Sequence, residues 1–114
     1  MIAVIFELEP REGATPRYFD HAAALRPILE SIDGFISVER FESLSQPGRY
    51  LSLSFWRDEA AVRRWRCQPQ HRSAQQDGRS AVLANYRLRV AIVVRDYGLN
   101  DRDQVPADSL TALI

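Results

Sequence analysis

Phe35-Ile-Ser-Val-Glu-Arg-Phe-Glu42 and Tyr50-Leu-Ser-Leu-Ser-Phe-Trp56 are two alternating segments separated by residues 43–49, with Gln46-Pro47-Gly48 in the middle. A period of two places successive side chains on opposite faces, as in a β-strand, and a short Pro-Gly gap lets the chain reverse. The two segments therefore predict an antiparallel hairpin. Phe35, Ser37, Glu39 and Phe41 alternate with Ile36, Val38, Arg40 and Glu42, and Tyr50, Ser52, Ser54 and Trp56 alternate with Leu51, Leu53 and Phe55. Apolar residues on both faces suit strands with material packed on each side.

Toward the N-terminus, Ile2, Val4, Phe6 and Leu8 alternate with Ala3, Ile5, Glu7 and Glu9, which predicts a strand ended by Pro10 to Gly13. Thr15-Pro16 matches an N-cap and first helical position, and Tyr18, Ala22, Leu25, Leu29 and Ile32 form one helical stripe that Asp33-Gly34 closes. Pro27 lies inside this helix, lacks a backbone donor, and predicts a bend or break. Toward the C-terminus, Asp58 caps a helix through Ala61, Val62 and Trp65, and Pro69 opens a short helix that stops at Gly78. Tyr86 to Tyr97 reads as the last strand, with Leu88, Val90, Ile92 and Val94 on one face.

The order strand, helix, strand, strand, helix, strand is that of a ferredoxin-like α+β fold, a four-stranded antiparallel sheet with both helices on one face. Ile5, Phe35 or Ile36, Leu51 or Tyr50, and Ala91 with Val93 leave the other face apolar as well. Two sheets stacked about a two-fold axis would cover it, giving a homodimer with a barrel-like interior. Residues 1–97 form this single domain, and residues 98–114 read as a tail. The tail's apolar end, Leu110, Leu113 and Ile114, either wraps over a neighbouring subunit or stays disordered.

At 114 residues, 46% hydrophobic and 26% charged, the chain has the composition of one globular domain. Fifteen basic and fifteen acidic residues cancel, which removes the electrostatic attraction that nucleic-acid binders use. Cys67 has no second cysteine to pair with, and with His21 and His71 it falls short of a four-ligand zinc set. The start has no basic leader region, and no apolar run approaches membrane-spanning length, so a soluble cytoplasmic protein is expected. Every basic residue is arginine, which leaves no lysine for Schiff-base or general-base chemistry. No glycine-rich phosphate loop appears, so no nucleotide cofactor is expected.

Met1-Ile-Ala-Val-Ile-Phe-Glu, Ile32-Asp-Gly-Phe-Ile-Ser-Val-Glu-Arg-Phe, Leu51-Ser-Leu-Ser-Phe-Trp-Arg-Asp-Glu-Ala-Ala-Val with Trp65, and Gln68-Pro-Gln-His-Arg together resemble the antibiotic biosynthesis monooxygenase family. The resemblance implies the dimeric α+β barrel fold. It also implies one of several activities, among them cofactor-independent oxygenation of anthrones and quinols and degradation of haem. Trp65 matches the tryptophan with which haem-degrading members crowd the porphyrin. Those members carry the axial histidine ten residues later, where this chain has Gln75, and an asparagine on the first strand, where it has Phe6 and Glu7. His71 matches a histidine of many non-haem members, so the resemblance favours a small aromatic substrate, dioxygen and no bound cofactor.

His71 falls in the first turn of the helix opened by Pro69, where the positive end of the helix dipole opposes an imidazolium. A neutral imidazole can take a proton from a phenol or from a carbon flanked by carbonyls, leaving an anion that dioxygen oxidises. Trp65 and Trp56 offer flat faces and indole donors for a ring substrate, against the plainer reading of core packing. Arg57, Arg63, Arg64, Arg66 and Arg72 face only Asp58 and Glu59 in this stretch. That excess, with Arg64 its substrate-binding candidate, attracts an anion or forms a solvated helix face. Tyr86, Asn85 and Tyr18 add polar contacts or structural support. Ser52 and Ser54 have no triad partners at recognisable spacing, Cys67 reads as a small helix-end residue, and His21 reads as exposed. A non-catalytic small-molecule-binding or stress-linked protein of the same fold is the alternative reading, with haem binding behind it.

Overall fold

In the computed structural model, which describes residues 1–109, the N-terminal strand β1 (Ile2–Pro10) lies inside the sheet. It pairs antiparallel with β3 (Tyr50–Trp56) on one side and β4 (Leu83–Ile92) on the other. Outside β3 lies β2 (Phe35–Glu42), giving the order β2-β3-β1-β4 expected of a ferredoxin-like α+β fold. Three helices join the strands: α1 (Thr15–Ser31), α2 (Glu59–Arg66) and α3 (Pro69–Asp77). A wide helical turn, Gly78–Val82, leads into β4. Leu110, Leu113 and Ile114, the apolar end of the expected tail, lie outside the described residues.

Register assigns the two faces. Ile2, Val4, Phe6 and Leu8 stand beside Trp56, Ser54, Ser52 and Tyr50 of β3 and beside Ile92, Val90, Leu88 and Tyr86 of β4. This face meets the helices: Ile2, Leu29, Trp56, Ala61 and Val62 form the buried core, with Val4, Ile32, Phe35, Val38 and Trp65 packed around it. The opposite face carries Ala3, Ile5, Leu51, Leu53, Phe55 and Ala91, of which only Ala3 is buried. The alternatives left open by the sequence thus resolve: Phe35 and Tyr50 face the helices, while Leu51 faces away. Ile36 sits at a register shift in β2 and is 53% exposed.

The surface is large for the mass. It measures 7963 Å², against about 6,400 Å² for a compact monomer of this size. The radius of gyration is 16.3 Å, against about 13 Å for a compact domain of this length. The extended segment beyond β4 and the uncovered sheet face both contribute.

Three local expectations need correction. α1 runs through Pro27 without a break, because a proline removes only one bond here, to Ala23, which lies on the exposed side of the helix. Its N-cap is Ala14, one residue before Thr15, without a side-chain cap. β4 starts earlier than expected and ends at Ile92 rather than Tyr97. As an edge strand it pairs only with β1, and its last bond of this kind runs from Val93 N–H to the Met1 carbonyl at 3.0 Å.

The turn from α1 into β2 depends on Gly34. Its φ is +90°, and a Cβ there would lie 2.6 Å from the Ala61 Cβ of α2. Glycine allows both the left-handed backbone and the close approach. Around it, Arg57 donates to both Asp33 carboxylate oxygens at 3.1 and 3.2 Å, and that hydrogen bonding is the main cause holding the Asp33 carboxyl below its usual range.

Candidate active site

α2 begins as the sequence requires: Asp58 Oδ1 accepts the Ala61 N–H at 2.9 Å, capping a terminus that would otherwise lack a partner. It ends at Arg66, and α3 begins almost at once, with Gln68 as N-cap and Pro69 in the first turn. Gln68 Oε1 accepts the His71 backbone N–H at 2.8 Å. This link folds α3 back on the end of α2, whose Trp65 carbonyl has no partner within its own helix. That carbonyl accepts the Gln68 N–H at 3.1 Å and faces His71 Nδ1 at 2.9 Å.

A carbonyl oxygen only accepts hydrogen bonds, so Nδ1 carries the proton in this contact. In the neutral ring the lone pair is then on Nε2. The imidazole lies flat on the Trp65 indole, with centroids 4.1 Å apart and planes 14° from parallel. Burial pushes the His71 pKa below 6.5, and the hydrogen bond to the Trp65 carbonyl opposes this only in part. The neutral ring expected from the sequence is therefore favoured, chiefly by loss of solvent.

Of the six candidate site residues, Trp65 and His71 are brought into contact. Tyr86 lies on the helix-facing side of β4, edge-on to Phe6 at 5.8 Å and 47% exposed. With Leu88, Val90 and Ile92 it makes an apolar strip that the helices leave largely open. The strip and the Trp65–His71 stack share one side of the sheet. Trp65 packs on the cluster containing Ile2, whose neighbour on β4 is Ile92.

Trp56 requires a correction. It is 1% exposed, donates its indole N–H to Ser54 Oγ at 2.9 Å, and meets Phe35 edge-on at 5.3 Å, so it is a core residue rather than a pocket wall. Arg64 is held at the α1–β2 turn, donating to the Asp33 carbonyl at 3.1 Å. Asn85 pairs with Glu9 and faces away from Tyr86, lining with Glu7, Arg49, Arg87 and Arg89 a polar cavity of about 160 Å³. There Glu7 bridges Arg49 at 3.0 Å and Arg89 at 3.4 Å. Tyr18 accepts from Arg40 Nε at 3.2 Å.

Sequence reading missed two features. One is Gln68, whose position before a helix-opening proline was a usable signal for a cap. The other is an ionic cluster in which Arg17 and His21 of α1 meet Asp77 at the end of α3. Its long sequence separation left no local trace, and His21, expected to be exposed, is tied to it. Among the described residues no group of three His, Cys, Asp or Glu side chains could hold a metal ion, and no helix is long and apolar enough to cross a membrane.

Comparison with known proteins identifies relatives of the chain and of its fold. A jasmonate monooxygenase, ABM, of Pyricularia oryzae is 48% identical over 105 residues, which cover 92% of this chain and 49% of that protein. The chain thus spans about half the length of this relative. YqjZ of Bacillus subtilis, an uncharacterized protein, is 32% identical over 93 residues, covering 82% of this chain and 79% of that one. The fold is shared with SnoaB, a cofactor-independent oxygenase of Streptomyces nogalater solved as a mutant. There the TM-score is 0.72 at 16% identity, over 83% of this chain and 94% of that one. The family model for antibiotic biosynthesis monooxygenases matches residues 1–77, from β1 to the end of α3. This chain belongs to the antibiotic biosynthesis monooxygenase family.

Proposed function

We propose that the chain is a cofactor-independent monooxygenase that oxidises a small cyclic substrate, an aromatic, quinol, polyketide or jasmonate-like ketone, with dioxygen. The observation that carries this reading is the His71 ring stacked on Trp65, neutral and with its Nε2 lone pair uncommitted, on the same side as the open apolar strip of β4. A flat substrate covering Tyr86, Leu88 and Val90 would exclude water and gain from apolar burial. His71 Nε2 removes a proton from an activated O–H or C–H of the substrate. The resulting anion passes electrons to dioxygen and forms a C–O bond as a hydroperoxide. Loss of water then leaves a carbonyl: one oxygen atom enters the product, and the other departs as water with both substrate hydrogens.

The name of the Pyricularia oryzae relative adds jasmonate to the substrates worth testing, and the name of SnoaB supports chemistry without a cofactor. Trp65 is the substrate-facing wall and Tyr86 a polar end of the strip; Asn85 and Arg64 contribute at most from outside this surface. Two copies associate through the face bearing Ile5, Leu51, Leu53 and Phe55. Support for this is that Ile5, Leu51, Leu53 and Phe55 lie on the sheet face the helices do not cover and are only partly buried in the single chain.

The test is turnover under ¹⁸O₂ with hydroxyanthrones, hydroquinones and jasmonate, using protein freed of metals by chelation. One label in the product and one in water supports the reading. No product from any class of the panel favours the non-catalytic binding role. Stoichiometric haem binding with a Soret shift, followed by haem loss under reductant, would replace it with the haem reading, despite Gln75 at the ligand position.

A further inference from the structure

α3 carries His71 but has little that would hold it by apolar burial. Its sequence, Pro69-Gln-His-Arg-Ser-Ala-Gln-Gln-Asp77, contains no buried residue, and only Pro69 and Ala74 are apolar. A helix of nine residues without an apolar seat is not stable by propensity alone. Its placement must come from tethers. At its start these are the Gln68 cap, the His71 contact with the Trp65 carbonyl, and Arg72 Nε donating to the Arg66 carbonyl at 3.2 Å. At its end Asp77 divides its carboxylate between two residues of α1: Oδ1 meets Arg17 Nη2, and Oδ2 meets His21 Nε2 at 2.5 Å.

Arg17 and His21 are four residues apart, so they rise from one side of α1 and meet a single acceptor. The Asp77 side chain is 23% exposed, less than Arg17 at 55% or His21 at 36%, so the carboxylate is the sheltered member. Charge-assisted bonds of this kind hold geometry better than neutral ones. Gly78 and Val82 follow directly and are buried, which anchors the chain just beyond the latch.

The geometry points to Asp77 as a positioning residue: by latching the end of α3 to Arg17 and His21 of α1, it fixes the helix that lays His71 on Trp65. The catalytic consequence rests on the proton-acceptor role proposed for His71, whereas the latch itself does not.

The test uses the whole chain with Asp77→Asn, which keeps the shape and removes the charge, and Asp77→Glu as the conservative variant. Hydrogen exchange of the α3 amides should quicken about tenfold in Asp77→Asn while β1 amides stay unchanged. The His71 ring protons, shielded by the indole beneath them, should move toward unstacked NMR shifts. The double variant Arg17→Gln, His21→Gln should reproduce both effects from the other side, and Asp77→Glu should reverse most of them. In turnover, kcat should fall about tenfold with KM within twofold, because a proton acceptor moved out of line loses rate rather than affinity. Unchanged α3 exchange and His71 shifts in Asp77→Asn would overturn the latch. A disturbed stack with unchanged kcat would overturn the positioning role. A disturbed stack in a protein that turns over nothing leaves the latch standing and defeats the monooxygenase reading instead.

Discussion

Replacing Gly34 with alanine tests how the turn before β2 fits α2, the helix that carries Trp65. At φ +90° an alanine occupies a left-handed backbone, at a cost of about 1–2 kcal/mol. Its Cβ would stand 2.6 Å from Ala61 Cβ and 3.3 Å from the Arg57 guanidinium. Arg57 can swing aside; Ala61, 0% exposed in the core, cannot. Forcing a methyl into such packing costs about 1–3 kcal/mol. Lower entropy of the unfolded chain returns about 0.4–1 kcal/mol, leaving a net loss of about 2–4 kcal/mol. Urea denaturation at one fixed protein concentration measures it, since association would make stability concentration-dependent. The midpoint of thermal unfolding should drop by about 8–15 °C. Gly48→Ala is the control: its φ is +87° with nothing within 4 Å, so it should lose only about 1 kcal/mol. Equal losses at the two sites would refute the claim that close packing on Ala61 makes Gly34 necessary.

Three further outcomes follow from the same structure. Because burial holds His71 below 6.5, its neutral form predominates above that value, so kcat/KM should level off above about pH 7 and fall as the ring protonates at lower pH. A profile that rises between pH 7 and 9 would count against His71 as the acceptor. Trp56→Ala should cost about 3–5 kcal/mol in denaturant titrations, and a loss under about 1 kcal/mol would contradict its core position. Leu53→Arg, placed in the uncovered sheet face, should convert a dimer to a monomer in sedimentation velocity without unfolding it; a wild-type monomer at micromolar concentration would refute the paired-sheet reading.

Much of this molecule is legible from period and punctuation. The alternation in β1 and β3, the Gln46-Pro47-Gly48 turn and the Asp58 cap are local signals, and the structure reproduces each; in β2 the register shift at Ile36 breaks the expected alternation and puts Phe35 on the face of Val38 rather than that of Ser37. Boundaries set by partners rather than by the segment itself were not legible: the regular pairing of β4 with β1 ends at Ile92, opposite Ile2, although the apolar alternation in the sequence runs on to Val94. The helix through Pro27 shows tertiary context overriding a local rule. At the site, Trp65 and His71 could be singled out, but not their stacking, which depends on a spare carbonyl at the end of α2. Trp56 was misassigned because the sequence does not reveal how deeply an aromatic at a strand end is buried. Asp77 escaped notice because its partners are 56 and 60 residues away.

Oxygen consumption by the metal-free protein, wild type against His71→Ala, tests the central claim most directly. With an accepted hydroxyanthrone, quinol or jasmonate substrate, the account predicts uptake by wild type without added haem, flavin or metal, reduced about a hundredfold or more in the variant while its fold is retained. Equal uptake by the two proteins would contradict it.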